Sequence, residues 1–327
     1  MRQEHFESLN AGFWASYETL AGRLQNKTGG RPVQDTEDFP RLYRKICNQY
    51  AIALSRQYSP ALVNRLHAMA LRGHNILYHR SAFQPVKVFH FFSRTFPRTF
   101  RNTIVYFGAA LLLFLLPLIG TGISCYAQHD LVYSIMDESR VADMEFMYDP
   151  ANRNYGRSAG QQDAKSIAMF GFYVRNNISI GFRTFAGGIL AGAGTVFFLI
   201  FNGILLGAVS GHITRLGFTE TFWPFVSGHG AFELTAIIIS GTAGLILARA
   251  VIAPGNRQRM DALKSAAATA LVLMLGAAAM FLLAAFIEAF WSPVNASITI
   301  KYSAAAGLWA LVIIYLAMAG RGSNRIE

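Results

Sequence analysis

The stretch NTIVYFGAALLLFLLPLIGTGIS, Asn102–Ser124, decides the fold. It contains no Asp, Glu, Lys or Arg, and about 20 apolar residues in helix are enough to cross the hydrocarbon core of a bilayer. Its proline, Pro117, is tolerated where neighbouring helices satisfy the freed backbone group. Working outward, further apolar runs follow at 166–210, 223–253, 265–287 and 302–320. Over 327 residues, 53% are hydrophobic and only 14% are charged, a balance foreign to soluble domains. The fold class expected is all-α, a polytopic membrane helical bundle.

The run 166–210 is too long for one crossing and is interrupted by Arg175, Asn176, Asn177 and Arg183. A single crossing there would export the basic loop with Arg257, Arg259 and Lys264, and also the tail after 320. A broken or re-entrant helix near Arg175–Arg183 instead keeps both basic segments inside, as positive charge near spans demands. The expectation is therefore about six membrane segments, near 102–124, 166–182, 184–210, 223–253, 265–287 and 302–320. Both termini then lie in the cytoplasm. The polar stretch 125–165 carries Asp130, Asp137, Glu138, Asp143, Glu145 and Asp149 and is placed outside.

Residues 1–101 hold fifteen Lys/Arg against six Asp/Glu, most of the net charge of +11. Beside a span, basic charge orients the chain and attracts anionic lipid, so membrane lipid rather than nucleic acid is the partner expected. The region reads as an N-terminal cytoplasmic helical bundle. One helix shows Trp14, Tyr17, Leu20 and Leu24 at helical spacing and stops at Gly29–Gly30. A second starts near Asp38 with Pro40 in its first turn, and a third at Ser59–Pro60.

The stretch FVSGHGAFELTAI, Phe225–Ile237, puts His229 and Glu233 four residues apart in an apolar setting, hence on one helix face. The six-segment count brings His212 and Glu288 to the same depth, so these four side chains form a candidate polar membrane site. Asn202 belongs with them, because a buried amide in hydrocarbon needs a partner on a neighbouring helix. Gly203, Gly207 and Gly211 recur every four residues, as do Gly188 and Gly192. Such faces let helix backbones touch, within one chain or between two copies in a homo-oligomer.

Catalytic signatures are missing. HGAFE lacks the second histidine of an HExxH zinc site, no nucleophile elbow is present, and no glycine-rich phosphate loop ends in lysine. The cysteines, Cys47 and Cys125, form no metal motif. No cofactor and no dedicated metal ligands are assigned.

Taken in order, Asn176–Asn177, NGILLG (202–207), HGAFE (229–233) and AAFIEAFWSP (284–293) resemble the stage II sporulation protein M family. FPRLYRKICNQYAIALSR (39–56) and LHAMALRGHNILYH (66–79) are similar to the cytoplasmic part of its larger members. Gly228 stands where that family commonly has proline before the histidine. The resemblance implies a bacterial cytoplasmic-membrane protein without enzymatic activity of its own. It also implies partners such as peptidoglycan hydrolases or a MoxR-type ATPase. The function expected is thus a noncatalytic scaffold of the cell envelope. The alternatives are a transporter or channel using His229 and Glu233 and, behind it, an intramembrane metal-dependent hydrolase.

Overall fold

The computed structural model describes residues 2–25, 38–78, 85–152 and 162–321, and among them every regular element is helical. The expected stop at Gly29–Gly30 lies outside the described residues. The chain divides into two compact units, Met1–Pro85 and Val86–Glu327.

The first unit is built from α1 (Gln3–Gln25), α2 (Phe39–Ser55) and α3 (Pro60–Tyr78). Asp38 precedes α2 and Pro40 sits in its first turn, while α3 opens on Pro60 itself. A proline there forfeits only an N–H that has no helical partner. Each helix contributes one apolar stripe: Phe6, Trp14, Tyr17 and Ala21 from α1, Phe39, Ile46 and Ala53 from α2, and Leu62, Leu66 and Met69 from α3.

Tyr17 is the buried pivot of this unit. Its ring stacks on Phe39 at 5.5 Å, and its hydroxyl donates to the Met69 carbonyl at 3.3 Å, over the bare Cα of Gly73. Burial, followed by the charge of Cys47, pushes the phenol up to about 12 from its ordinary 10.0. The unfolded chain therefore releases this proton first, and the stabilisation, intact below pH 10, is lost as pH rises toward 12. Alkaline unfolding followed by circular dichroism should show a loss on the order of 2 kcal/mol across that window. Tyr17→Phe should flatten it.

The second unit begins with α4 (Pro85–His90), a π turn at Phe91–Thr95 and α5 (Phe96–Asn102). The sequence had assigned 86–101 to the basic N-terminal region. Phe96 and Phe100 instead lie in the core of the membrane unit, and Phe96 caps the bare Cα of Gly276. Phe96 and Phe100 are buried while Arg94 and Arg98 are exposed.

Then come α6 (Ile104–Ala127), α7 (Glu138–Tyr148), α8 (Gln162–Ala186), α9 (Ala193–Arg215), α10 (Thr219–Ile252), α11 (Arg259–Phe286) and α12 (Ile298–Met318). Among the described residues five helices are long and apolar enough to cross a membrane: α6, α9, α10, α11 with its following π turn, and α12. α8 is a sixth member of the bundle, packed on α9, α10 and α11 but more polar. α10 is the centre: 78% of its most apolar window is buried inside the protein, against 11% for α6. Small residues make that centrality physically possible. Gly244 lies against Thr184, Gly188 and Thr195, and Gly241 against Leu199.

The expected break is present but displaced. Arg175, Asn176, Asn177 and Arg183 all lie within the unbroken helix α8. Arg175, Asn176 and Arg183 are exposed, while Asn177 turns inward. Polar residues spaced around one face are compatible with a continuous helix. The chain reverses at Gly187–Gly192, where a short 3-10 turn gives way to Ala191 and Gly192 at φ 50° and 84°. Glycine reaches that left-handed region at little cost. Gly188 and Gly192 are therefore turn residues rather than a helix face.

Gly203, Gly207 and Gly211 do form a face. They lie against the backbone of α6 at Phe114, Leu118 and Gly122. The contact is within one chain, and that face is filled by α6.

Candidate functional site

At the end of the bundle where α6 ends and α10 begins, beside the segment 128–152 that forms a cap, a group of polar side chains is enclosed. α10 presents His229 and Glu233 one turn apart, with Nε2 and Oε2 3.9 Å from each other. Glu288 arrives from the π turn Ile287–Trp291 that ends α11. One ligating atom from each of these three residues lies within 4.8 Å of the other two. A π turn inserts one residue into the helical repeat and so re-aims its side chains, which is why such turns recur at functional sites.

The imidazole is held from both sides. Its Nδ1 is 3.1 Å from the Ser292 hydroxyl, and the Phe225 ring meets it edge-on at 5.7 Å. Ser292 is itself fixed, because its carbonyl accepts from Lys301 Nζ at 2.7 Å. Asn177, only 2% exposed, faces Glu288. Its Oδ1 accepts from Asn176, but its Nδ2 makes no hydrogen bond. Tyr148 of α7 and Tyr173 of α8 complete the surround, both near enough to sense the two carboxylates. Burial pushes the Tyr148 phenol well up, and the charges of Glu288 and Glu233 raise it further. A polar cavity of about 200 Å³ adjoins the group, lined by Tyr148, Asp149, Thr221, Phe225, Ser292 and Lys301 among others.

Two residues expected in this group belong elsewhere. His212, buried at the end of α9, meets Glu145 of α7 at 2.6 Å and stacks on His129 at 5.1 Å. It pins the cap segment. Asn202 donates back to the Phe198 carbonyl of its own helix at 2.6 Å, so it needs no neighbouring helix. The sequence reading missed Asn177, Ser292, Lys301, Tyr148 and Tyr173 as contributors. Lys301, a lone base in the apolar run after Pro293, was the available signal, since a cation at that depth requires an acceptor.

The cap has further pins. Arg215 Nη1 donates to the Tyr126 and Ala127 carbonyls at 2.6 and 2.9 Å, and the Thr221 hydroxyl donates to the Tyr148 carbonyl. Towards the other end, an apolar groove of about 790 Å³ runs between α6 and α12 over α10, with Arg101 and Arg321 on its rim.

Among comparisons with known proteins, the family model described as stage II sporulation protein M matches residues 104–293. A domain of unknown function matches residues 4–79. No curated protein and no solved structure matches the chain.

Proposed function

From its membership of the stage II sporulation protein M family, to which the chain belongs, we propose that this multi-pass membrane protein is a noncatalytic scaffold of the bacterial cytoplasmic membrane. Both termini are placed in the cytoplasm and the cap outside, a direction favoured by Arg257, Arg259 and Lys264 between α10 and α11. Membrane lipid is the occupant proposed for the apolar groove.

The observation that carries this reading is the pinned cap. His212–Glu145, Arg215 and Thr221 tie the segment after α6 to the helix ends. Held in place, α7 offers Phe146 and Met147, each 62% exposed, one turn beyond exposed Asp143. An ordered, exposed apolar pair suits docking of a protein partner. By family resemblance that partner is a peptidoglycan hydrolase, while a MoxR-type ATPase would meet the cytoplasmic side.

Capture of the full-length protein from its native membrane, with quantitative identification of co-purifying proteins, tests the proposal. The double variant Phe146→Ala/Met147→Ala should lower partner recovery at least about fivefold while the membrane unit stays intact. Recovery unchanged by that variant would overturn the docking face. A second reading, transport, draws on the polar cavity beside His229. It requires an ion or solute flux in proteoliposomes that Glu233→Gln alters.

A further inference from the structure

We infer that His229, Glu233 and Glu288 form a binding site for one divalent transition-metal ion of the zinc class, clamping α10 to the end of α11. The inference stands apart from the scaffold reading, since a structural ion serves a scaffold as well as any other membrane protein.

Geometry comes first. At 3.9 Å, Nε2 of His229 and Oε2 of Glu233 are too far apart for a hydrogen bond. Two ligands each about 2 Å from one tetrahedral ion stand about 3.3 Å apart, so a short side-chain movement brings this pair onto a shared ion. Glu288 brings a third ligand atom inside 4.8 Å of both. A tightening of up to about 1.5 Å, mostly at Glu288, closes the set.

The imidazole is prepared for the role. Its Nδ1 faces Ser292 at 3.1 Å, so the tautomer donating there leaves the Nε2 lone pair turned to the carboxylates. Metal-bound histidines are oriented in this way by a partner on the other ring nitrogen. Lys301 anchors the Ser292 carbonyl and thereby the partner itself. The independent sign is Asn177, 2% exposed, whose amide faces the Glu288 carboxylate without completing a hydrogen bond to it. An amide so placed orients a ligating carboxylate or takes a metal-bound water.

Charge balance favours the same answer. Two carboxylates enclosed together repel strongly in a medium of low dielectric. A neutral imidazole, two carboxylates and one divalent cation sum to zero, the charge a membrane interior tolerates. Calcium would require six to eight oxygen ligands, more than this set supplies, whereas imidazole with carboxylate suits zinc. The polar cavity of about 200 Å³ is lined by Ser292 and Phe225, the two residues that hold the His229 ring.

The test uses the purified full-length protein, stripped with chelator and dialysed against zinc alone, with metal content read by mass spectrometry. About one zinc per chain is expected for the native protein and for Asn202→Ala, whose amide bonds within its own helix outside the set. Glu233→Gln and Glu288→Gln should hold less than about a tenth of that, with helicity by circular dichroism verifying the fold. Ser292→Ala keeps all three ligands and should weaken zinc affinity about 10- to 100-fold. No stoichiometric zinc in the native protein, or full retention in the glutamine variants, would overturn the site. Where a glutamine variant fails to fold, Ser292→Ala decides, and unchanged affinity counts against the inference.

Discussion

Gly207→Leu should detach α6 from α9 and destabilise the membrane unit by about 3 kcal/mol or more. A Cβ on Gly207 would land on the carbonyl oxygen of Leu118, and the nitrogen of Gly122 is only 3.0 Å away. The obstacle is backbone, so no rotamer change relieves it, and α6 must translate as a whole. Gly203 and Gly211 meet the α6 backbone in the same way, so the shift cannot be confined to one turn. In lipid, helices are held together by van der Waals contact rather than by expulsion of water, so a gap opened here finds little compensation. Thermal or SDS-induced unfolding of the purified protein measures the loss. Gly120→Leu is the control, because a Cβ at Gly120 meets nothing within 4 Å. A homodimer built on this glycine face predicts differently, namely dissociation into stable monomers.

Trp14→Ala should cost about 3 to 5 kcal/mol, enough to melt the N-terminal unit within the intact protein. Trp14 is 1% exposed, sits at 6.0 Å from the Phe6 ring, and carries the Arg65 guanidinium at 5.4 Å on one face. Its Nε1 donates to the buried Gln49 at 2.7 Å, and Gln49 in turn donates to Asn10 at 2.5 Å. Truncation thus removes a large apolar volume and leaves an amide oxygen unpaired. Trp14→Phe separates the two losses, since it keeps most of the volume and leaves Gln49 without its donor, at about 1 to 3 kcal/mol. Adding Gln49→Leu to that variant should return part of the stability. Limited proteolysis of the full chain, reading cleavage within 1–85, follows both effects. An unchanged cleavage rate in Trp14→Ala would contradict the packing described.

Local periodicity carries far in this chain, and its reach explains what was legible. Asp38–Pro40 and Ser59–Pro60 mark helix starts because capping and proline chemistry are confined to a few residues. His229 and Glu233 were paired correctly because the helical repeat alone brings them together. Glu288 was placed beside them by counting crossings, which is a coarser instrument but sufficient here. His212 was misassigned because its partner, Glu145, lies 67 residues away and in the cap. No periodicity encodes that meeting. Asn177 was read as part of a helix break because it interrupts an apolar run, whereas here tertiary packing decides and turns the amide toward Glu288. The glycines at 187–192 carried the true break, hidden by a spacing that also suits a helix face. Residues 86–101 were grouped with the basic N-terminal region because their arginines are conspicuous in sequence, whereas Phe96 and Phe100 decide the packing.

The stitching of α5 to α12 has a consequence for how the protein is made. Arg101 Nη1 donates to the Leu316 carbonyl at 3.1 Å, and the Tyr315 hydroxyl donates to the Phe92 carbonyl at 2.6 Å. These partners are 215 and 223 residues apart. Since synthesis proceeds from the N-terminus at roughly 5–20 residues per second, α5 waits about 10 to 45 seconds for the helix that completes its surroundings. During that interval Phe96 and Phe100 have no final seat, and a ribosome stalled before Ile298 would leave an unfinished bundle for the membrane's quality control to find.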